Sequence, residues 1–229
     1  FCAMVLRRDG TALDIKNDFT IYDSIDQISA LKKALQEANV DLKQFSPSMM
    51  HTAISAAKSQ LISVEGYGLG KSTYIEEIVH RVYERYEEIL NQANALDFDD
   101  LLLKTHDLFE KFPHVVEIYH QRYTHLMVDE FQDTNTIQYA ITKQLSGKHR
   151  NLCVVGDPDQ SIYAWRNADV HNILNFKTDF PDAKLITLEQ NYRSTETILE
   201  AAQGVIAPNE QRVETVSYTH LTLPTNREV

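Results

Sequence analysis

The sequence has only two cysteines, Cys2 and Cys153, too few and too far apart for a disulfide framework or for metal-ligand spacing. No apolar run approaches the roughly 20 residues that a membrane-spanning helix needs. No signal peptide is visible, and a reducing, cytoplasmic setting is the expectation. Basic residues are also scarce: 22 Lys and Arg stand against 33 Asp and Glu, a formal net charge of −11. That balance excludes nucleic-acid binding by a broad basic surface, though not a narrow groove that holds bases by stacking. Tryptophan occurs once, as Trp165. What remains is ordinary for a globular chain, with 43% hydrophobic and 24% charged residues among 229.

The first half reads as helical. Ile25, Ile28, Leu31 and Leu35 recur at helical spacing over 24–38. Ser46-Pro47 has the form of a helix start, and Met50, Ala53, Ile54, Ala57 and Leu61 then share a face. The stripe over 74–90 is stronger (Ile75, Ile78, Val79, Val82, Tyr86, Ile89 and Leu90), and Thr73 and Glu76 have capping-box spacing before it. Helices are further predicted over about 97–111 and 113–122.

The pattern then changes. Short apolar runs at 125–128, 152–155 and 184–188 are β-prone, with helical stretches (about 134–145 and 167–178) between them. Strands alternating with helices predict a parallel sheet covered on both faces, with sites at the carboxyl ends of its strands. A last helical stretch covers Thr195 to Ile206. The segment 216–229, "VSYTHLTLPTNREV", breaks the period and reads as a non-native tail, outside fold reasoning.

One segment imitates a phosphate-binding loop. "EGYGLGKST" (65–73) ends in Gly-Lys-Ser, but Glu65 occupies the first glycine position of G-x-x-x-x-G-K-[ST]. A carboxylate there opposes phosphate, and the residues upstream follow a helical rather than a strand pattern. The segment is therefore expected to be a glycine-rich turn between two helices.

The chemistry is expected elsewhere. In "HLMVDEFQDT" (125–134) an apolar strand delivers Asp129 and Glu130 to its end, followed by Gln132 and Asp133. Asp129 is a hard oxygen ligand suited to Mg²⁺, and Glu130 can orient and deprotonate a water attacking a γ-phosphate. In "VGDPDQSIYAWRNA" (155–168) Gln160 can hydrogen-bond a terminal phosphate, while Tyr163, Trp165 and Arg166 either form a stacking platform for unpaired bases or fill core. In "LEQNYRST" (188–195) Tyr192 offers a ring to adenine and Arg193 a guanidinium to phosphoryl charge; taken alone, that string reads as a surface ion pair.

In this order the three strings, D-E-F-Q-D-T, G-D-P-D-Q-S-I-Y-x-W-R and Q-N-Y-R-S, resemble the motifs of the UvrD/Rep family of superfamily 1 DNA helicases. The resemblance takes in Ala95 to Leu102, "ALDFDDLL", and Arg81 to Tyr86, "RVYERY", and covers roughly residues 1–214. It implies an ATPase using Mg²⁺ that moves 3′ to 5′ on single-stranded DNA and opens duplex junctions. Asp129 would be the metal ligand and Glu130 the residue that activates water. Gln132 and Gln160 would couple γ-phosphate to DNA, and Tyr163, Trp165 and Arg166 would form the DNA contact. Tyr192 would stack on adenine, and Arg193 would reach the γ-phosphate.

The fold it implies is α/β: an incomplete RecA-like P-loop NTPase core with a parallel sheet, plus an inserted all-helical subdomain. The expected division is core over 1–22 and 93–193, helical insertion over 23–92, and the start of a second RecA-like domain over 194–215. The phosphate loop of the family is expected ahead of Phe1, so these residues alone are expected to be inactive. Three other readings are an ATPase part of a helicase-nuclease subunit, a non-catalytic DNA-binding relative, and a small-molecule kinase using Lys71.

Overall fold

The computed structural model describes residues 1–70 and 72–208. Lys71 and the expected tail over 216–229 lie outside them, as does part of the segment 194–215. The described chain is helix-rich α/β with two small parallel sheets. Helix α1 (Cys2–Asp9) leads to a two-residue strand, β1 (Thr20–Ile21). Helices α2 (Ser24–Glu37), α3 (Pro47–Ser59), α4 (Val64–Gly70) and α5 (Tyr74–Gln92) follow. Strand β2 (Ala95–Leu96) then pairs in parallel with β1, Thr20 opposite Ala95. Next come α6 (Phe98–Lys111) and α7 (Pro113–Arg122).

The second sheet pairs β3 (Leu126–Val128) with β4 (Leu152–Val154) in parallel, Met127 opposite Cys153, with α8 (Thr136–Ser146) as the crossover. The short helices α9 (His171–Leu174) and α10 (Phe176–Asp179) precede α11 (Glu196–Ile206).

Side-chain caps set the starts of α2, α3, α5, α6 and α8. Ser46 Oγ accepts the Met49 N–H at 3.2 Å ahead of Pro47. Thr73 and Glu76 exchange side-chain and backbone hydrogen bonds, and the N–H groups of Ser72 and Thr73 push the Glu76 carboxyl down to about 2. Asp97 and Asp100 form the same reciprocal cap for α6. One core unites α2, α3 and α5 through Leu31, Leu35, Met50, Ile54, Val82 and Tyr86. A second gathers α1, α6, α7 and α8 around Leu6, Leu108, Tyr119 and Ile137. A small third core, Phe131, Tyr139 and Phe180, lies under Val128, Leu152 and Val154 of the second sheet.

Several expectations are corrected. The run 184–188 forms no strand: Leu185, Ile186 and Leu188 are exposed. β-prone residues make a strand only where a sheet edge accepts their backbone hydrogen bonds, and no such pairing forms for them among the described residues. The β3–β4 sheet is covered on one face only, since Met127 and Cys153 face outward. The expected turn at 65–70 is the short helix α4. The single helix over 167–178 is two four-residue helices meeting at Asn175. In α2 the inward face holds Gln27, Ala30, Leu31, Ala34 and Leu35, while Ile25 is exposed.

A buried ionic node joins these parts. Lys58, 1% exposed near the end of α3, places Nζ 2.6 Å from Glu87, 2.9 Å from Asp97 and 2.7 Å from Asp100. Tyr86 donates to Asp97 at 3.0 Å. Burial opposes the Lys58 ammonium, but the three carboxylates outweigh it and hold its pKa well above the ordinary value. Burial also works upward on Asp97, where the charge and hydrogen bonds of Lys58 win and leave it below the ordinary range. At Asp100 burial wins, and its pKa rises from 3.8 to about 7.

The sign of the pH dependence follows. Between about pH 4 and 7 the folded chain keeps a proton on Asp100 that the unfolded chain has lost, so this group lowers stability as pH rises. Asp97 acts oppositely, contributing stability above about pH 4 that is lost on acidification. The melting temperature is therefore expected to fall between about pH 5 and 7, with the slope flattened in Asp100→Asn. Equal slopes in the two proteins, measured by thermal circular dichroism, would contradict that assignment.

Candidate functional site

The two strands of the second sheet run side by side and end together. Pairing continues past their ends: the Val155 N–H donates to Val128 O at 2.8 Å and the Phe131 N–H to Val155 O at 2.9 Å. Asp129 and Glu130 therefore leave β3 beside Gly156 and Asp157, which leave β4. Both acids are exposed. Glu130 adopts φ 50°, ψ 43°, a left-handed conformation uncommon outside glycine. Its N–H donates to Asp129 Oδ1 at 3.0 Å. This turn reverses the chain so that Phe131 and Gln132 point inward while the carboxylates stay out; both are buried, Gln132 at 1% exposure.

Gln132 ties the two strand ends together. Its Nε2 donates to Glu130 Oε2 at 2.8 Å and to Asp133 Oδ2 at 3.3 Å. Its Oε1 accepts the Asp157 N–H at 3.0 Å. The approach is so close that a Cβ on Gly156 would fall 2.5 Å from Gln132 Oε1 and 3.1 Å from the Phe131 nitrogen. Glycine is required here by space, since its φ is not positive. Asp157 in turn accepts from Gln160 Nε2 at 2.7 Å, and Ser161 Oγ donates to Gln132 O at 3.3 Å. A continuous hydrogen-bonded path thus runs from Glu130 through Gln132 and Asp157 to Gln160.

Beyond Gln160 the chain continues into a short 3-10 turn, Ala164–Arg166. Trp165 is 72% exposed and Tyr163 37%, so neither fills core. Their ring centroids lie 6.1 Å apart at 52°, and the Arg166 guanidinium sits 4.5 Å from the Trp165 ring and 5.4 Å from that of Tyr163. Two aromatic faces and a cation are thus presented together, which is what stacking on unpaired bases uses.

Tyr192 and Arg193 are not brought to this cluster. Tyr192 is exposed and donates to Gln190 Oε1 at 2.8 Å. The N–H groups of Arg193 and Ser194 both donate to Asn191 Oδ1, closing a local turn. Among the described residues these hydrogen bonds are local.

The donor set suits a hydrated divalent cation. Asp129 and Glu130 are hard oxygen donors without an ion-pair partner among the described residues, and the neighbouring Asp133 Oδ1 is a buried acceptor with no hydrogen bond. Among the described residues no Lys or Arg forms an ion pair with Asp129 or Glu130.

Sequence reasoning found the strand-end acids and the aromatic pair because each is a local string. It missed the contact between Gln132 and the Asp157 N–H and the Lys58 node, which rest on partners far along the chain. The one local sign was a lysine within the otherwise small and apolar stretch Ile54 to Ser59.

The model for the UvrD/REP helicase N-terminal domain matches residues 1–181. A protein of Staphylococcus aureus (strain Mu50 / ATCC 700699) called ATP-dependent DNA helicase PcrA is 47% identical over 211 residues, 92% of this chain and 29% of that protein. Its namesake in Staphylococcus epidermidis (strain ATCC 12228 / FDA PCI 1200) gives the same identity and coverage. The chain thus spans less than a third of the length of these curated relatives. With the family model covering most of its residues and relatives 47% identical over 92% of it, the chain belongs to the UvrD/REP helicase family.

Proposed function

We propose that this chain is the part of an ATP-driven DNA helicase that carries the hydrolytic carboxylates and a contact for single-stranded DNA, in a motor that moves 3′ to 5′ and opens duplex junctions in the cytoplasm. Residues 1–22 and 93–193 then belong to a first RecA-like core, 23–92 to a helical insertion, and 194–215 to the start of a second RecA-like domain. The observation that carries this reading is the Gln132 side chain, which hydrogen-bonds Glu130 on one side and the Asp157 N–H on the other.

Mg²⁺–ATP supplies the phosphoryl group and neutralises its charge when bound. Asp129 would hold the metal ion through its carboxylate. Glu130 Oε2 is held by Gln132, which leaves Oε1 to accept the proton of the attacking water. A shift of Gln132 or Gln160 as phosphate is lost passes along the path to Asp157 and so to the turn holding Tyr163, Trp165 and Arg166. Tyr192 takes the adenine face, and Arg193 meets the phosphoryl charge once the second RecA-like domain closes on the first.

Trp165 makes the test direct, because its fluorescence has no competitor in this sequence. Oligothymidylate is expected to quench it, and Tyr163→Ala is expected to weaken binding by about 1–3 kcal/mol, the worth of one stacked base. The 229-residue chain by itself is expected to turn over no ATP, since among the described residues neither acid has a cation in ion-pair contact. Undiminished binding by Tyr163→Ala, or hydrolysis by this chain stimulated by single strands, would contradict the proposal.

A further inference from the structure

The aromatic turn is held from two directions. On one side the Asp169 N–H donates to Thr134 O at 2.9 Å, and Asn172 Nδ2 to the same oxygen at 3.0 Å, which fastens the chain after the turn to the loop that follows Glu130. On the other side Asn167 Nδ2 donates to Ser59 Oγ at 3.2 Å, across 108 positions of sequence.

Asn167 is placed to act on the turn. Its N–H closes the turn onto Ala164 O at 3.0 Å, and it sits at φ 63°, ψ 19°, the left-handed region that asparagine tolerates best after glycine. Ser59 is equally fixed. It is the last residue of α3, 4% exposed, and it follows Lys58, whose ammonium is clamped by Asp97, Asp100 and Glu87. The turn that presents Trp165, itself largely exposed, is therefore referenced to one of the most rigidly held points of the helical block.

Resting on the reading of Tyr163, Trp165 and Arg166 as a DNA contact, we propose that Ser59 is a positioning residue for single-stranded DNA binding, acting through Asn167. The hydroxyl accepts the amide and sets the angle at which the 3-10 turn presents its rings. The helical block thereby has a part in DNA affinity without touching DNA at this residue. Because α3 also belongs to the core shared with α2 and α5, a shift of that block moves the platform with it.

The test uses the full 229-residue chain with Ser59→Ala, with Asn167→Gly, which keeps the left-handed backbone and drops the amide, and with both. Without DNA, Trp165 anisotropy is expected to fall in each single variant as the turn loosens. The oligothymidylate dissociation constant is expected to rise about three- to tenfold in each, the weight of one hydrogen bond. The double variant is expected to be no weaker than the weaker single one, because both remove the same contact. Unchanged anisotropy in both single variants, or losses that multiply in the double variant, would overturn the proposal. Should Ser59→Ala fail to fold, Asn167→Gly at its half-buried loop position decides the matter by the same anisotropy. If the unaltered chain does not bind oligothymidylate, the DNA reading falls, and anisotropy still tells whether Ser59 anchors the turn.

Discussion

Replacing Lys58 by methionine is expected to lower the stability of the chain by roughly 3–5 kcal/mol, a large share of the ~5–15 kcal/mol that holds a domain folded. Methionine fills nearly the same space, so lost packing contributes little. The cost is electrostatic. Asp97 is 2% exposed and Asp100 1%, and both lie within hydrogen-bond reach of the one ammonium. Glu87 lies 2.6 Å from the same nitrogen. Without it, the cation left in ion-pair contact with the cluster among the described residues is Lys104, 3.9 Å from Glu87 Oε2. Buried carboxylates left without a partner must take up protons or reach water, and either route opens the junction of α3, α5 and α6.

The contrast is Lys104→Met. Its ion pair is longer and its side chain 30% exposed, and exposed pairs of this kind are worth about 0–1 kcal/mol. Urea titrations of the two variants are expected to separate cleanly. A Lys58→Met protein as stable as its Lys104→Met counterpart would show that the node is not a structural junction.

The second large effect is on turnover. In a polypeptide that also supplies the phosphate-holding loop, Glu130→Gln is expected to slow ATP hydrolysis by about 10²–10⁴-fold, the range for loss of a positioned general base. The substitution is nearly isosteric. The new amide oxygen still accepts from Gln132 Nε2, so the link to Asp157 stays intact and DNA affinity is expected to be unchanged. What is lost is the capacity to take a proton from water.

Local signals carried the helices. The caps at Ser46 and Thr73 were readable because donor, acceptor and spacing lie within four residues. The stripes of α3 and α5 were readable because burial repeats with the helical period. Where exposure departed from the stripe, as at Ile25 and Ile75 in the first turns of α2 and α5, the helix had not yet met its neighbour. The sheets were harder. Strands β1 and β2 have two residues each, too short for any period to register.

The site was legible where it is a string and hidden where it is a contact. Asp129, Glu130, Gln132, Gln160, Tyr163, Trp165 and Arg166 announce themselves by order at two strand ends. The hydrogen bond from the Asp157 N–H to Gln132 spans 25 positions and depends on Gly156 having no side chain. Nothing at either end of that interval signals the other. Lys58 finds its acids 39 and 42 positions away for the same reason. Tyr192 and Arg193, chosen as a string, are held among the described residues by their own neighbours.

The most direct measurement is a single-turnover comparison of wild type and Glu130→Gln, both saturated with oligothymidylate, in a polypeptide that also carries the phosphate-holding loop. Trp165 quenching, or anisotropy of a labelled oligonucleotide, verifies the saturation. The expected result is equal DNA occupancy with ATP cleavage slower by at least about a hundredfold in the variant. Equal occupancy with equal cleavage rates would place the water-activating group elsewhere and contradict the account.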